Sequence, residues 1–198
     1  MTKGKLYVLS GPSGVGKSTA VHEVMSRHPT LRFSVSVTTR EIRPGEVEGE
    51  SYYFISRQQF RQMLENDELL EHAEYVGNCY GTPEEPINRM LEQGIDVLLD
   101  IEVQGAAKVK AKCPEAVSIF IIPPSLEELS RRLHHRNTDD EDVIASRLQT
   151  ARAEYQEIPN YDYLVVNDNV TAAAEEIMAI LTAESCRVKN RLHLIEGV

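Results

Sequence analysis

Apolar runs of strand length recur along the chain, with helical patterns between them. Lys5 to Ser10 reads as a short buried strand, a Gly-rich turn follows, and a helix runs from about Lys17 to Arg27 and stops near Pro29. Ile95 to Ile101 (I-D-V-L-L-D-I), Val117 to Ile122 and Tyr163 to Val166 are three further runs. They are apolar enough to suit central strands covered on both faces. Alternation of this kind predicts an α/β fold with a mainly parallel sheet flanked by helices. Helix starts are marked by Ser or Thr followed three residues later by Glu or Gln: Ser56 with Gln59, Ser125 with Glu128, and Thr138 with Glu141. A last helix is expected over about Thr171 to Arg187.

Two segments break the alternation. Residues 34–82 are rich in Thr, Tyr, Arg and Gly and read as several short strands plus one helix, a small mixed module inserted into the parallel core. Residues 124–158 are strongly charged and helical, make few apolar demands on the core, and read as a mobile arm over it. The remaining stretches, 1–33, 83–123 and 159–198, form the core.

Composition narrows the class. A chain of 198 residues with 41% hydrophobic and 26% charged residues is expected to fold around its own core. Its net charge of −10 argues against coating nucleic acid or an anionic membrane through bulk charge. No signal sequence and no apolar stretch near the length of a membrane span, about 20 residues, is visible. Cys79, Cys113 and Cys186 are odd in number and far apart, which argues against a disulfide framework or zinc site and for a reducing compartment. They are expected to be buried or half-buried thiols. A cytoplasmic location follows. If such a protein binds phosphates, it must do so with a local cluster of basic groups.

That cluster begins at Gly11-Pro12-Ser13-Gly14-Val15-Gly16-Lys17-Ser18, which matches G-x-x-x-x-G-K-[ST] between a strand and a helix. Glycines let the backbone wrap phosphate oxygens, and the start of the next helix faces the anion. Lys17 can bridge β- and γ-phosphates, and the Ser18 hydroxyl can ligate Mg²⁺. Asp100, at the end of Val97-Leu98-Leu99, fits a carboxylate holding Mg²⁺ through water; strand ends also carry Asp as a simple turn residue.

Five stretches make the sequence resemble the guanylate kinase family over nearly the whole chain. They are the phosphate loop, S-V-T-T-R-E-I-R-P-G-E-V-E-G-E-S-Y-Y-F from Ser36 to Phe54, L-L-E-H-A-E-Y-V-G-N-C-Y-G-T from Leu69 to Thr82, L-D-I-E-V-Q-G from Leu99 to Gly105, and V-N-D from Val166 to Asp168. The resemblance implies a P-loop nucleoside monophosphate kinase fold, with 34–82 as a GMP-binding module and 124–158 as a helical lid. It implies transfer of the γ-phosphoryl group of ATP to GMP with Mg²⁺ as cofactor. Gly11 to Ser18 and Thr19 would bind ATP, with Arg132, Arg136 and Asn167, the last near adenine. Arg40, Arg43, Tyr52 and Tyr80 would grip the GMP phosphate, while Ser36, Glu71 and Thr82 read guanine. Asp100 would sit between metal and acceptor. Lys17, Arg40, Arg136 and Arg147 would be catalytic, the lid arginines reaching the transferring group.

The residues carry part of this unaided. Arg40 and Arg43 lie three apart beside Gly45 without helical pattern, and guanidinium forks suit phosphate; solvated surface arginines are the plainer alternative. Glu71 sits in an otherwise apolar strand, Leu69 to Val76, and a carboxylate can accept both guanine donors, N1–H and N2–H₂. Arg131, Arg132, Arg136, Arg147 and Arg152 lie among Asp and Glu, so an ordinary charged helical surface is the alternative there. The chain departs from the family in this arm: Arg132-Leu133-His134-His135-Arg136-Asn137 has Asn where Gly is common. Glu102 and Cys79 also stand where Asp and an aromatic are usual. Adjacent His134 and His135 do not form a chelate face and are expected in solvent. Two rivals remain: a P-loop kinase with another acceptor, which the set Ser36, Glu71, Thr82 opposes, and an inactive protein-binding module, which the intact Gly16-Lys17-Ser18 opposes. Homo-oligomerisation is left open.

Overall fold

The computed structural model describes residues 3–75, 77–135 and 140–195. Its core is a five-stranded sheet in the order β2-β7-β1-β8-β9, with every neighbouring pair parallel. The strands are β1 (Leu6–Ser10), β2 (Arg32–Phe33), β7 (Val97–Asp100), β8 (Val117–Ile122) and β9 (Tyr163–Val166). β1 is central and wholly buried, which its unbroken L-Y-V-L-S run requires. Helices cover both faces. α1 (Lys17–Arg27) and α7 (Val170–Ser185) share one apolar cluster with Tyr7, Leu9, Ile119 and Val165. α3 (Glu84–Glu92) and α4 (Val103–Lys112) close the other around Leu6, Val8, Val97 and Leu99. β7 and β8 flank β1, so the chain leaves its carboxyl end at the point where an open α/β sheet forms a ligand crevice.

A second sheet, β4-β3-β6-β5, is mixed. It comprises β3 (Val37–Thr38), β4 (Tyr53–Phe54), β5 (Leu69–Tyr75) and β6 (Asn78–Pro83), with α2 (Arg57–Glu65) packed on it through Phe60. The start of α2 is the expected reciprocal box of Ser56 and Gln59. Beyond β8, α5 (Leu126–His135) and α6 (Glu141–Glu154) lead through a 3-10 turn, Tyr155–Asn160, into β9.

Several local expectations change. The Ser125 hydroxyl accepts from the Glu128 N–H at 3.1 Å, but the Glu128 carboxylate goes to Arg131 and Arg132 instead of reaching back. α6 begins at Glu141 with Asp140 at its N-cap, later than a Thr138 cap would start it, and Thr138 itself lies outside the described residues. The arm is also less independent of apolar packing than its charge suggested. Leu129, Leu133, Ile144 and Ala151 form a small core between α5 and α6, because each helix still carries apolar residues at helical spacing. Cys79 and Cys113 are half-buried, whereas Cys186 is exposed at the end of α7. His134 and His135 are exposed as expected. No helix among the described residues is long and apolar enough to cross a membrane.

Candidate active site

The phosphate loop bridges β1 and α1. Gly16 is the N-cap of α1 with φ +95, and a Cβ there would lie 2.7 Å from Asn167 Nδ2, so glycine is required twice over. No side chain caps the helix and its first turn holds no acid. Its leading N–H groups and positive dipole end therefore stay open to an anion. Lys17 braces the loop, its Nζ donating to the Gly11 carbonyl at 2.7 Å. Ser18 and Thr19 follow on the exposed side of the same turn.

Asp100, at the carboxyl end of β7, faces this turn, with Ser18 Oγ 3.5 Å from its Oδ2. Burial raises the Asp100 pKa, and Lys17 and Ser18 oppose the rise. A hydroxyl and a carboxylate are hard oxygen donors of the type Mg²⁺ takes, and no cluster of three or more acidic, His or Cys side chains suited to a metal exists among the described residues. The donor set fits an ion that retains water and phosphate ligands, not an all-protein cage.

The second sheet supplies the other wall. Register explains why three separated residues converge. Val37 pairs with Gly81 and Glu71 with Thr82, so Ser36, Thr82 and Glu71 continue one cross-strand row. The Thr82 hydroxyl donates to Glu71 Oε1 at 2.6 Å, and Glu71 is only 7% exposed. Burial raises its pKa, while Thr82 and then Lys108 pull it down. α4 runs against the other carboxylate oxygen at Gly105. Two residues along β6 on the same face is Tyr80, edge-on to Tyr52 at 5.9 Å between centroids. Arg40 lies over Tyr52, 5.5 Å from its ring centre.

One cleft of about 880 Å³ lies between the phosphate loop, the second sheet's module and α6; Ser36, Arg40, Glu71, Tyr80, Thr82 and Asp100 are not among the residues that line it. The phosphate loop from Gly11 to Ser18 forms its floor, Arg43 and Tyr52 approach from the second sheet, and Ser146, Arg147 and Thr150 of α6 close it from above. Arg147 Nη1 donates to Ser13 Oγ at 2.8 Å, which joins α6 directly to the loop.

Arg132 and Asn167, the expected ATP contacts, lie against the phosphate loop outside the residues that line the cleft. Arg132 is behind the loop, donating to the backbone carbonyls of Val15 (3.1 Å) and Asn167 (2.9 Å) and to Glu128 (2.7 Å). Asn167 is buried and its amide donates to the Val15 carbonyl at 2.8 Å. Both satisfy a loop carbonyl that would otherwise be orphaned indoors. Arg136 lies outside the described residues. Sequence reasoning gave no role to four acids here. Glu102, Asp142 and Glu154 line the cleft, and Glu46 is bonded to Arg40. Glu46 and Glu102 left a usable signal, by standing inside R-x-x-R-P-G-E and L-D-I-E-V-Q-G.

The guanylate kinase family model matches residues 3–184. A guanylate kinase of Desulfitobacterium hafniense is 50% identical over 98% of this chain and 98% of its own. One from Lactococcus lactis subsp. lactis is 50% identical over 99% and 98%. The crystal structure of guanylate kinase from Anaplasma phagocytophilum superposes with a TM-score of 0.81 at 37% identity, covering 99% of this chain and 95% of that one. A phosphate loop and an inserted sheet around one cleft are thus matched by likeness over nearly the full length, and the chain belongs to the guanylate kinase family.

Proposed function

We propose that the chain is an ATP:GMP phosphotransferase that forms ADP and GDP, a cytoplasmic enzyme of purine nucleotide metabolism. The observation that carries this reading is the single cleft in which Lys17 and Ser18 face Arg43, Tyr52 and Arg147. In the division proposed here, 1–33, 83–123 and 159–198 are the core, 34–82 binds GMP, and 124–158 is the lid.

The loop amides from Gly11 to Thr19 and Lys17 hold the ATP phosphates. Arg40, Arg43, Tyr52 and Tyr80 hold the phosphate of GMP, and Ser36, Glu71 and Thr82 take its base. Ser18, and Asp100 through water, would hold Mg²⁺, which would neutralise phosphate charge. Arg132 and Asn167 support this arrangement by fixing the loop from behind, and Arg147 completes the ring of donors from the lid, with Arg136 proposed beside it.

A phosphomonoester has its second pKa near 6, so an oxygen of GMP is already anionic at pH 7 and needs no general base. That oxygen forms the new P–O bond in line as the bond from the γ-phosphorus to the β–γ bridging oxygen breaks, and ADP leaves. The chain's task is to hold two anions together and keep water out. The preserved Lys17 and Ser18, and the open α1 terminus, speak against a purely protein-binding role.

The test is product analysis with ATP, Mg²⁺ and a panel of monophosphates. GMP should be preferred, and Lys17→Ala should lower kcat by about 100-fold or more while the fold is retained. Turnover of another monophosphate in preference to GMP, or near-normal turnover by folded Lys17→Ala, would sink the reading.

A further inference from the structure

The arginine that faces the acceptor phosphate in this reading is already held. Arg40's side chain is 10% exposed, between the rings of Tyr52 and Phe54 and the carboxylate of Glu46. Nη2 donates to Glu46 Oε1 at 2.6 Å and Nη1 to Oε2 at 3.0 Å, while Nη1 also donates to the Glu41 carbonyl at 2.7 Å. A guanidinium has five N–H donors in a planar fork. Glu46 closes the end between the two terminal nitrogens, and Glu41 takes the outer side of Nη1. Neither of these acceptors takes the side edge formed by Nε and Nη2, and the Tyr80 hydroxyl is a further hydrogen-bond partner of Arg40. Two parallel donors on that edge match two oxygens of a phosphate.

Glu46 is itself fixed by the turn Arg43-Pro44-Gly45-Glu46. The Glu46 N–H donates to the Arg43 carbonyl at 3.1 Å, and Gly45 has φ +89. Proline second and a left-handed glycine third make a type II turn, which explains the P-G pair. The turn brings the Glu46 carboxylate back over its own start, where Oε2 accepts the Arg43 backbone N–H at 2.8 Å. One oxygen therefore joins the Arg40 guanidinium to the Arg43 main chain. Arg40 and the Arg43 N–H hold the Glu46 carboxyl below the usual carboxylate range, so it is ionised at neutral pH.

We propose that Glu46 is the positioning residue of the acceptor-phosphate site. It commits one edge of Arg40, leaves the Nε–Nη2 edge for the phosphate, and sets Arg43 in register beside it. The inference rests on the phosphotransferase reading above. It excludes the opposite role, in which Glu46 imitates the phosphate and must be displaced by it.

Steady-state kinetics of Glu46→Gln separate the cases, with Glu46→Asp as a second variant that keeps the charge but shortens its reach. Loss of a charged hydrogen-bond partner should raise KM for GMP on the order of tenfold or more. KM for ATP and inhibition by guanosine, which lacks the phosphate, should stay near wild type, while the melting temperature at neutral pH falls modestly because the lowered Glu46 pKa means its charge stabilises the fold. In an Arg40→Ala background Glu46→Gln should add less than about threefold, because the two act as one unit. An unchanged or lower KM for GMP in both variants overturns the positioning role, as does an equal weakening of guanosine. If the wild-type chain does not phosphorylate GMP at all, the phosphotransferase reading falls first and this inference with it.

Discussion

Glu71→Gln exchanges one acceptor oxygen for a donor at a site with little freedom to adjust. The carboxylate is 7% exposed, takes the Thr82 hydroxyl on Oε1, and is backed by α4 at Gly105. In the variant the remaining oxygen can still accept from Thr82. The amide N–H₂ then meets guanine, whose N1–H and N2–H₂ are also donors. At least one charge-assisted hydrogen bond of about 1.5–3 kcal/mol is lost, and a donor left unpaired adds about 1–3 kcal/mol. At about 1.4 kcal/mol per decade, kcat/KM for GMP should fall by between roughly sixtyfold and about ten-thousandfold. Adenine offers an acceptor at N1, so AMP should not lose in parallel, and IMP, lacking N2–H₂, should lose less than GMP. Chromatographic detection of the diphosphate at saturating ATP gives all three ratios.

Unfolding does not explain such a loss. Burial raises the Glu71 pKa in the folded protein, so the folded state binds its proton more tightly than the unfolded state does. Between the ordinary and the raised pKa, stability falls as pH rises, and above both values the ionised carboxylate is a net burden. Removing that charge should leave the ligand-free variant at least as stable as wild type at neutral pH. An unchanged GMP-over-AMP ratio in a folded Glu71→Gln protein would show that the carboxylate does not read the base.

Gly105→Ala should behave as a remote version of the same change. Its Cβ would lie 2.9 Å from Glu71 Oε2, so the carboxylate must tilt; KM for GMP should rise on the order of tenfold while melting is little altered, since Ala favours the helix by about 0.5–1 kcal/mol. A wild-type KM for GMP would refute the contact. Asp100→Asn should separate stability from activity: burial raises the Asp100 pKa, so neutralising it should hold or raise the melting temperature at pH 7, and the gain should fade as pH falls toward the ordinary carboxylate pKa and wild-type Asp100 takes up its proton. The same variant should lose most turnover at low Mg²⁺, and full activity there would remove Asp100 from the metal site.

The fold was readable where local chemistry alone decides it. β1, α1, β8 and β9 follow from apolar runs and from a Gly-Lys-Ser turn that has one good conformation. The row proposed to take guanine was readable only in part. Glu71 is unusual in an apolar strand, but nothing local says that Thr82 and Ser36 share its row, because that depends on a register set by β3, β5 and β6 pairing across the chain. Arg132 and Asn167 show the opposite limit. Their residue types suit a phosphate or a base equally well, yet both are drawn to the Val15 carbonyl, a buried acceptor that does not exist until the loop has folded. Glu154 had no signal at all: in a charged helix it looks like its neighbours, and only the direction of α6 turns it into the cleft.

These internal partners show how an acidic chain keeps cations at a cleft where Lys17, Arg43 and Arg147 share the lining with Glu102, Asp142 and Glu154. With net charge −10, unpartnered arginines at the site would be drawn to the protein's own carboxylates, and some are. Arg40 is held by Glu46, Arg132 by Glu128, whose pKa is pulled down to about 2 by Arg131 and Arg132, and Lys17 by the Gly11 carbonyl. Neither partner need be given up when a phosphate arrives. Lys17 has three N–H donors and can keep the Gly11 carbonyl while two turn to phosphate oxygens. Arg40 can keep Glu46 and still offer its other edge. In the proposed reading both anions then meet cations already held in place, and neither has to break an ion pair first.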